Sequence, residues 1–385
     1  MQEIPVLLLT GYLGSGKTTL VNRILSNNKG IKFAVIVNDI GEVNIDASLI
    51  EKDGVVGRKD DSLVALQNGC ICCTLKMDLV QQICEIVSMH KFDYIVIEAS
   101  GICEPEPIAQ TICSIPRMGY EYVKDGLARL DCIVTVVDAL RMRDEFSCAK
   151  DLLRGNIAED DIENLVIQQV EFCNIILLNK ASEIPPQDLA KVREILRALQ
   201  PKAEIIECDF GDVPFDTILD THLFNFDAVA TSATWIDAIE GHHDDDDDDD
   251  HHHHHHHDDE GEADEYGIGT YVYYSRKPMD INKFDSFVAR HWPSGIIRAK
   301  GICYFTDEPD LCYLFEQAGH QISIKNVGQW YATMPEDELR QMLAEDPVLA
   351  KDWDPIYGDR MQKLVFIGQH LDKDAIREAL DFCLD

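Results

Sequence analysis

The stretch Gly11–Thr18, "GYLGSGKT", limits the possible folds of this chain more than any other feature. It fits the pattern Gly, any four residues, Gly-Lys-Ser/Thr. It lies between a strand-like run, "PVLLLT", and a helix-like run, "TTLVNRIL". Strand, glycine loop and helix in that order form a phosphate-binding loop. The glycines let backbone N–H groups curl around a phosphate, and the helix N-terminus adds a favourable dipole. Lys17 is expected to reach the β- and γ-phosphates, and the Thr18 hydroxyl to ligate Mg²⁺. Gly11, Gly14, Ser15, Gly16 and Thr19 complete the expected nucleotide-binding set.

The sequence around this loop repeats the strand-then-helix alternation. "PVLLLT", "KFAVIVN", "YIVIEAS", "CIVTVVD", "NIILLN" and "AEIIEC" are short Val/Ile-rich runs, as parallel strands buried on both faces require. Helical patterns fall between them at Thr18–Ser26, Thr74–Met89, Ala158–Glu171 and Pro186–Leu199. This alternation predicts an α/β fold: a doubly wound, mostly parallel sheet over residues 1–208. Residues 209–265 break the pattern and contain "GHHDDDDDDDHHHHHHHDDEGEADE", a low-complexity linker that cannot bury a core. From Tyr266 a different mix begins. "GIGTYVYYSR", "IIRAKGICYF" and "KLVFIGQ" read as strands; "INKFDSFVARH", "PEDELRQMLAED" and "KDAIREALDFCL" read as helices. Residues 266–385 are therefore expected to form a smaller α+β domain. No solenoid repeat is visible in either half.

A chain of 385 residues is too long for one ordinary core, which agrees with two domains. The net charge of −36 argues against nucleic acid as a partner. No apolar run reaches the roughly 18 residues of a membrane span. "MQEIPVLLLTGYLG" lacks the basic flank and cleavage site of a signal peptide, so the expected location is cytoplasmic. Without a secretion signal, the 13 cysteines are not read as a disulfide framework. Cys132 and Cys173 lie in apolar runs and are expected to act as small buried hydrophobes.

Further nucleotide motifs follow the loop. "YIVIEASG" ends a strand with Glu98, the expected Mg²⁺-side acid. Gly101, three residues on, can offer its N–H to a γ-phosphate and move when that phosphate leaves. Lys17, Glu98 and Gly101 are the expected catalytic group. "VNDIGEVNID" lies where a first switch segment would fall; Asp39 is a candidate for the Mg²⁺ shell and Glu42 for a metal site. "ILLNKAS" supplies Asn179 and Lys180 for the base. Guanine is normally read by a carboxylate two positions after that lysine, because its N1–H and 2-amino group both donate. Ser182 occupies the position, and a hydroxyl cannot replace a bidentate carboxylate. A shift of one position would bring in Glu183.

"NGCICC" places Cys70, Cys72 and Cys73 between the nucleotide motifs. Thiolates select Zn²⁺, Cu⁺ or iron–sulfur chemistry over Mg²⁺. Zn²⁺ takes four ligands, so three cysteines leave a place for a water, an acid or a partner's ligand. Glu42 is the candidate fourth ligand. Three unliganded core thiols, or a redox pair, are the alternatives.

These motifs resemble those of the CobW-type metallochaperone GTPases, relatives of the urease and hydrogenase nickel-insertion GTPases. "TGYLGSGKTTL", "VNDIGEVNIDASLI", "LQNGCICCTL" and "IEASGICEPEPI" stand in the family's order and spacing, and "NKAS" matches in part. "GIGTYVYYSRKP", "IIRAKGICYF" and "GDRMQKLVFIG" resemble the family's C-terminal domain. The resemblance implies Mg²⁺-requiring GTP hydrolysis, metal binding at Cys70, Cys72 and Cys73, and delivery of the metal to a client metalloprotein. It also implies a nucleotide-dependent homodimer. Carried over by position, Gly14, Lys17 and Thr18 contact nucleotide and Glu98 is the Mg²⁺-side acid. Zn²⁺ is the expected cargo and Co²⁺, for cobalamin synthesis, the alternative. His-rich segments occur in the family where this chain has its His/Asp run. His242, His243, His251, His252, His253, His254, His255, His256 and His257 are therefore candidate auxiliary metal ligands. Two other functions compete. A P-loop kinase has no use for the thiolates. A passive metal buffer with a weak nucleotide site would hydrolyse nothing in a metal-dependent way. Hydrolysis is expected to be slow, because no arginine in the chain can be assigned as a finger.

Overall fold

The structure, a computed structural model, describes residues 3–26, 30–37, 65–67, 76–147, 160–226, 267–293, 295–318, 321–345, 349–350 and 353–385. The chain divides into two compact units.

The first unit is a doubly wound sheet of seven strands. β1 (Glu3–Thr10), β2 (Phe33–Val37), β3 (Ala65–Gln67), β4 (Tyr94–Glu98), β5 (Leu127–Asp138), β6 (Ile175–Asn179) and β7 (Glu204–Glu207) lie in the order β3-β2-β4-β1-β5-β6-β7. Every pairing in it is parallel. β2, β4 and β6 are buried along their whole length, as their unbroken Val/Ile/Leu runs predict. The order turns back on itself around β1, with strands added on both sides. A ligand crevice forms outside the carboxyl ends of parallel strands at such a point. The helix Lys17–Leu25 closes one face by burying Leu20, Val21 and Ile24 against Leu7, Leu9, Val35 and Val134.

The predicted helices appear as Lys17–Leu25, Lys76–Ser88, Asp160–Glu171 and Pro186–Leu199. Among the described residues of this unit, the structure adds three α-helices that the sequence reading did not assign, Pro105–Met118, the single turn Tyr120–Val123, and Ala139–Ser147. Pro105 occupies the first turn of its helix, where a missing N–H costs nothing. Pro116 lies near the other end. The prolines hid an amphipathic segment whose Ile108, Ile112 and Ile115 are buried.

The second unit is a five-stranded antiparallel sheet. β8 (Ile268–Ser275), β9 (Ile296–Phe305), β10 (Glu308–Ala318), β11 (Gln321–Gln329) and β12 (Gln362–Gln369) lie in the order β11-β10-β9-β12-β8. Helices Ile281–Arg290 and Lys373–Cys383 supply Phe284, Phe287, Ile376 and Leu380 to a core shared with Ala299, Phe315 and Phe366. Both helices start on an aspartate cap. Asp280 accepts from the N–H groups of Asn282 and Lys283, and Asp372 from that of Ala375. β10 and β11 were not among the predicted strands.

One buried carboxylate ties down the chain that follows β7. Asp131, on β5, is fully buried. It accepts from the Tyr94 hydroxyl at 2.6 Å, from the N–H groups of Thr221 and His222 at 2.9 and 2.8 Å, and from Arg129 at 3.2 Å. Burial alone would raise its pKa. The Tyr94 hydroxyl, the two backbone N–H groups and Arg129 outweigh burial and hold it below the usual carboxylate range. Asp220 and His222 lie beside it in an arrangement that could hold a metal, but both Asp131 oxygens are already occupied by these donors. The group is structural. Asp131→Ala is expected to cost about 3 kcal/mol in urea unfolding, because it leaves several donors unmet. A depressed carboxylate pKa stabilises the fold above the ordinary carboxylate range. That contribution is lost as pH falls through the folded-state value. The variant should therefore lose less stability than the parent between neutral and strongly acidic pH.

Candidate functional site

The site forms at the carboxyl ends of β1 and β4–β7. β1 ends at Thr10, whose hydroxyl bonds that of Thr135 on β5 at 2.8 Å. The chain then turns through Gly11, Gly14 and Gly16 at φ 134°, 76° and 109°, in the left-handed region that favours glycine. A Cβ on Gly16 would lie 2.4 Å from the Asn179 amide nitrogen, so the loop closes only because this residue lacks one. No side chain caps the helix that follows, and its first-turn N–H groups face the loop. Ser15 is buried and its Oγ has no partner among the described residues. Gly14 and Thr19 are exposed.

Lys17 folds back into this loop. It is 7% exposed, and its ammonium donates to the carbonyls of Gly11 at 2.7 Å and Tyr12 at 3.1 Å. The Thr18 hydroxyl donates to Glu98 Oε1 at 2.8 Å. Glu98 ends β4 and is 2% exposed. Two hard oxygen ligands from different elements thus converge, a donor set that suits Mg²⁺. Gly101 packs so closely on the loop that a Cβ there would lie 2.7 Å from the Leu13 backbone nitrogen.

A second wall follows β6 and β7. Asn179 is buried and bridges two loops: its Nδ2 donates to the Ser15 carbonyl at 2.8 Å, and its Oδ1 accepts from the Gly211 N–H at 3.1 Å. Lys180 pairs with Asp138 at the end of β5. Asp209 Oδ1 accepts from both the N–H and the hydroxyl of Ser182, at 3.1 and 3.0 Å.

The structure therefore brings together Gly11, Gly14, Ser15, Gly16, Lys17, Thr18, Thr19, Glu98, Gly101, Asn179 and Lys180. Asp39, Glu42, Cys70, Cys72, Cys73 and the histidines His242–His257 lie outside the described residues. Three neighbours of the site were missed in the sequence. Asp138 pairs with Lys180, Arg141 stacks its guanidinium 4.1 Å above the Tyr12 ring, and Asp209 meets Ser182. Asp138 and Asp209 each lie at the carboxyl end of a parallel strand, a position that could have flagged them.

Both halves of the chain match known protein families. Residues 5–207 match the family model described as CobW/HypB/UreG, nucleotide-binding domain. Residues 268–384 match the cobalamin synthesis protein cobW C-terminal domain. Zinc-regulated GTPase metalloprotein activator 1 of Dictyostelium discoideum is 33% identical over 398 aligned positions, covering 100% of this chain and 80% of that protein. The zinc chaperone CobW of a Sinorhizobium species is 31% identical over 221 positions, covering 55% of this chain and 60% of its own length. The crystal structure of the Zn(II)-bound YjiA GTPase from E. coli is 21% identical, covers 100% of both chains and has a TM-score of 0.42.

Proposed function

Because the chain belongs to the CobW/HypB/UreG nucleotide-binding family, we propose that it is a GTP-hydrolysing metallochaperone. In this reading it takes up Zn²⁺ at Cys70, Cys72 and Cys73, with Glu42 as fourth ligand, and passes it to a client metalloprotein under nucleotide control. The work is divided among a GTPase domain at 1–208, a linker at 209–265 whose first part packs on that domain through Val213, Ile218 and Leu219, and a C-terminal domain at 266–385. The protein acts in the cytoplasm as a nucleotide-dependent homodimer. Among the described residues, no helix is long and apolar enough to cross a membrane.

One observation carries the coupling of nucleotide to metal. β2, β3 and β4 end side by side, with Val37 paired to Gln67 and also to Glu98. Asn38 follows β2 and leads to Asp39 and Glu42. Asn68 follows β3 and leads to Cys70. Adjacent strands lie about 4.8 Å apart, so the strand ends Val37 and Gln67 lie within roughly 10 Å of the Glu98 backbone. In this reading Glu98, as the Mg²⁺-side carboxylate, stands beside the strand that leads to the candidate switch and one strand further from the one that leads to the candidate metal loop.

The proposed roles follow from the geometry. GTP phosphates replace the Gly11 and Tyr12 carbonyls as partners of the Lys17 ammonium and are held by the loop N–H groups. Thr18 and Glu98 would hold Mg²⁺, with Asp39 in its outer shell; the bound ion neutralises charge on the phosphate oxygens. Gly101 offers its N–H to the γ-phosphate. The names of the zinc-regulated relative and of the zinc chaperone support Zn²⁺ as cargo. The His242–His257 run serves as an auxiliary store.

Equilibrium dialysis against Zn²⁺ tests the ligand assignment. Deleting His242–His257 should lower the number of metals bound while keeping a tight site and GTP hydrolysis. Adding Cys72→Ala should weaken that site by more than the roughly 10- to 100-fold typical of losing a supporting residue. Unchanged stoichiometry on the deletion would rule out the histidine run, and unchanged affinity in Cys72→Ala would rule out the cysteine site.

A further inference from the structure

Ser182 leaves the nucleotide reading without the carboxylate that guanine needs, and the structure supplies one from another loop. The inference rests on the GTP reading given above. The segments after β6 and β7 form one wall, because Asn179 is bonded to Ser15 on the phosphate loop and to Gly211 beyond β7. On that wall Ser182 and Asp209 face each other, with both the N–H and the hydroxyl of Ser182 donating to Asp209 Oδ1. A hydroxyl stands where a carboxylate is expected, and a carboxylate stands within hydrogen-bond distance of it. We propose that Asp209 is the specificity-determining residue that reads the guanine base.

The acceptor inventory allows this. A carboxylate has about four acceptor sites, and Ser182 fills two on one oxygen. Oδ2 makes no hydrogen bond or ion pair among the described residues, which leaves acceptors for the N1–H and 2-amino donors of guanine. Adenine offers no such donor pair, so it would leave the charge unmet. The backbone around the pair is held in an uncommon shape. Lys180 and Phe210 have φ of 61° and 54°, left-handed values that non-glycine residues seldom adopt. The Phe210 turn lets Gly211 reach Asn179, and so fixes Asp209 opposite Ser182. Glu183, the other nearby acid, is exposed, and its N–H turns back to the Lys180 carbonyl at 3.0 Å.

An asparagine tests the assignment. It keeps its oxygen on the two Ser182 donors and turns its amide N–H groups to the base, where guanine also donates. The affinities of the full-length chain for GDP and ADP are measured for the parent and three variants. Asp209→Asn should lose at least about tenfold in GDP affinity while its ADP affinity stays as in the parent. Glu183→Gln should keep the parent ratio. The exchanged pair, Ser182→Asp with Asp209→Ser, should restore preference for GDP. Asp209→Asn that keeps the parent ratio, or lowers GDP and ADP affinity alike, would overturn the proposal; so would a loss of preference produced by Glu183→Gln. A parent that binds GDP and ADP equally would overturn it while leaving the phosphate site standing. A parent that binds no nucleotide would overturn both this proposal and the GTPase reading.

Discussion

Lys17→Ala is expected to lower kcat for GTP hydrolysis by roughly 10²- to 10³-fold, the usual cost of removing a preorganised charge from a transition state. The ammonium is 7% exposed and lies inside the loop, on the carbonyls of Gly11 and Tyr12. It is thus already desolvated, inside the loop that would hold the β- and γ-phosphates. Charge interactions strengthen in such a place, because water no longer screens them. Lys17→Arg should not restore the rate, since a planar guanidinium cannot occupy a space shaped for a compact point charge. Phosphate release at saturating GTP checks the effect. A rate within about threefold of the parent, less than 0.7 kcal/mol, would remove Lys17 from the catalytic group.

Gly101→Ala is expected to reduce hydrolysis by about 10- to 100-fold, as misplacement of a reacting group by an ångström does. The added Cβ would fall 2.7 Å from the Leu13 backbone nitrogen and 2.7 Å from its Cδ2. The side-chain atom can move aside, but the backbone atom belongs to the phosphate loop, so the loop or the segment after β4 must shift. That segment continues directly from Glu98, held at 2.8 Å from Thr18 at the end of β4. Damage should fall mainly on the γ-phosphate side. Affinity for a non-hydrolysable GTP analogue should therefore drop more than affinity for GDP. Equal losses for the two nucleotides would mean that Gly101 only fills space.

Much of this architecture can be read in the sequence, because the buried parallel strands leave little ambiguity. "PVLLLT", "YIVIEAS" and "NIILLN" are too apolar for anything but a sheet interior, and the glycine loop fixes which strand is central. β3, only Ala65–Gln67, is too short to show any periodicity. β10 and β11 escaped for a different reason. "EPDLCYLFEQA" and "QISIKNVGQ" mix acids, amides and half-buried apolar residues, and Ile322, Ile324 and Val327 remain exposed on β11. Their strand character comes from pairing with β9 and with each other, not from a clean alternation. The site divides in the same way. Lys17, Thr18 and Glu98 belong to local motifs and are visible as such. Asp209 lies 27 residues from Ser182 in the chain and meets it only in the folded sheet. Read alone, Ser182 signals a loss; read with Asp209, it marks an exchange.

Coupling between nucleotide and metal is the central claim, and zinc affinity measured in two nucleotide states tests it most directly. The chain lacking His242–His257 would be titrated with Zn²⁺ against a competing chelator, with Mg²⁺ and either a non-hydrolysable GTP analogue or GDP. The expected result is a difference of at least about fivefold between the two states, within the usual range of allosteric coupling, and its disappearance in Cys72→Ala. By linkage, Zn²⁺ should change the affinity for the GTP analogue relative to GDP by the same factor. Equal zinc affinities in the two states would contradict the claim and leave a GTPase beside a static metal site.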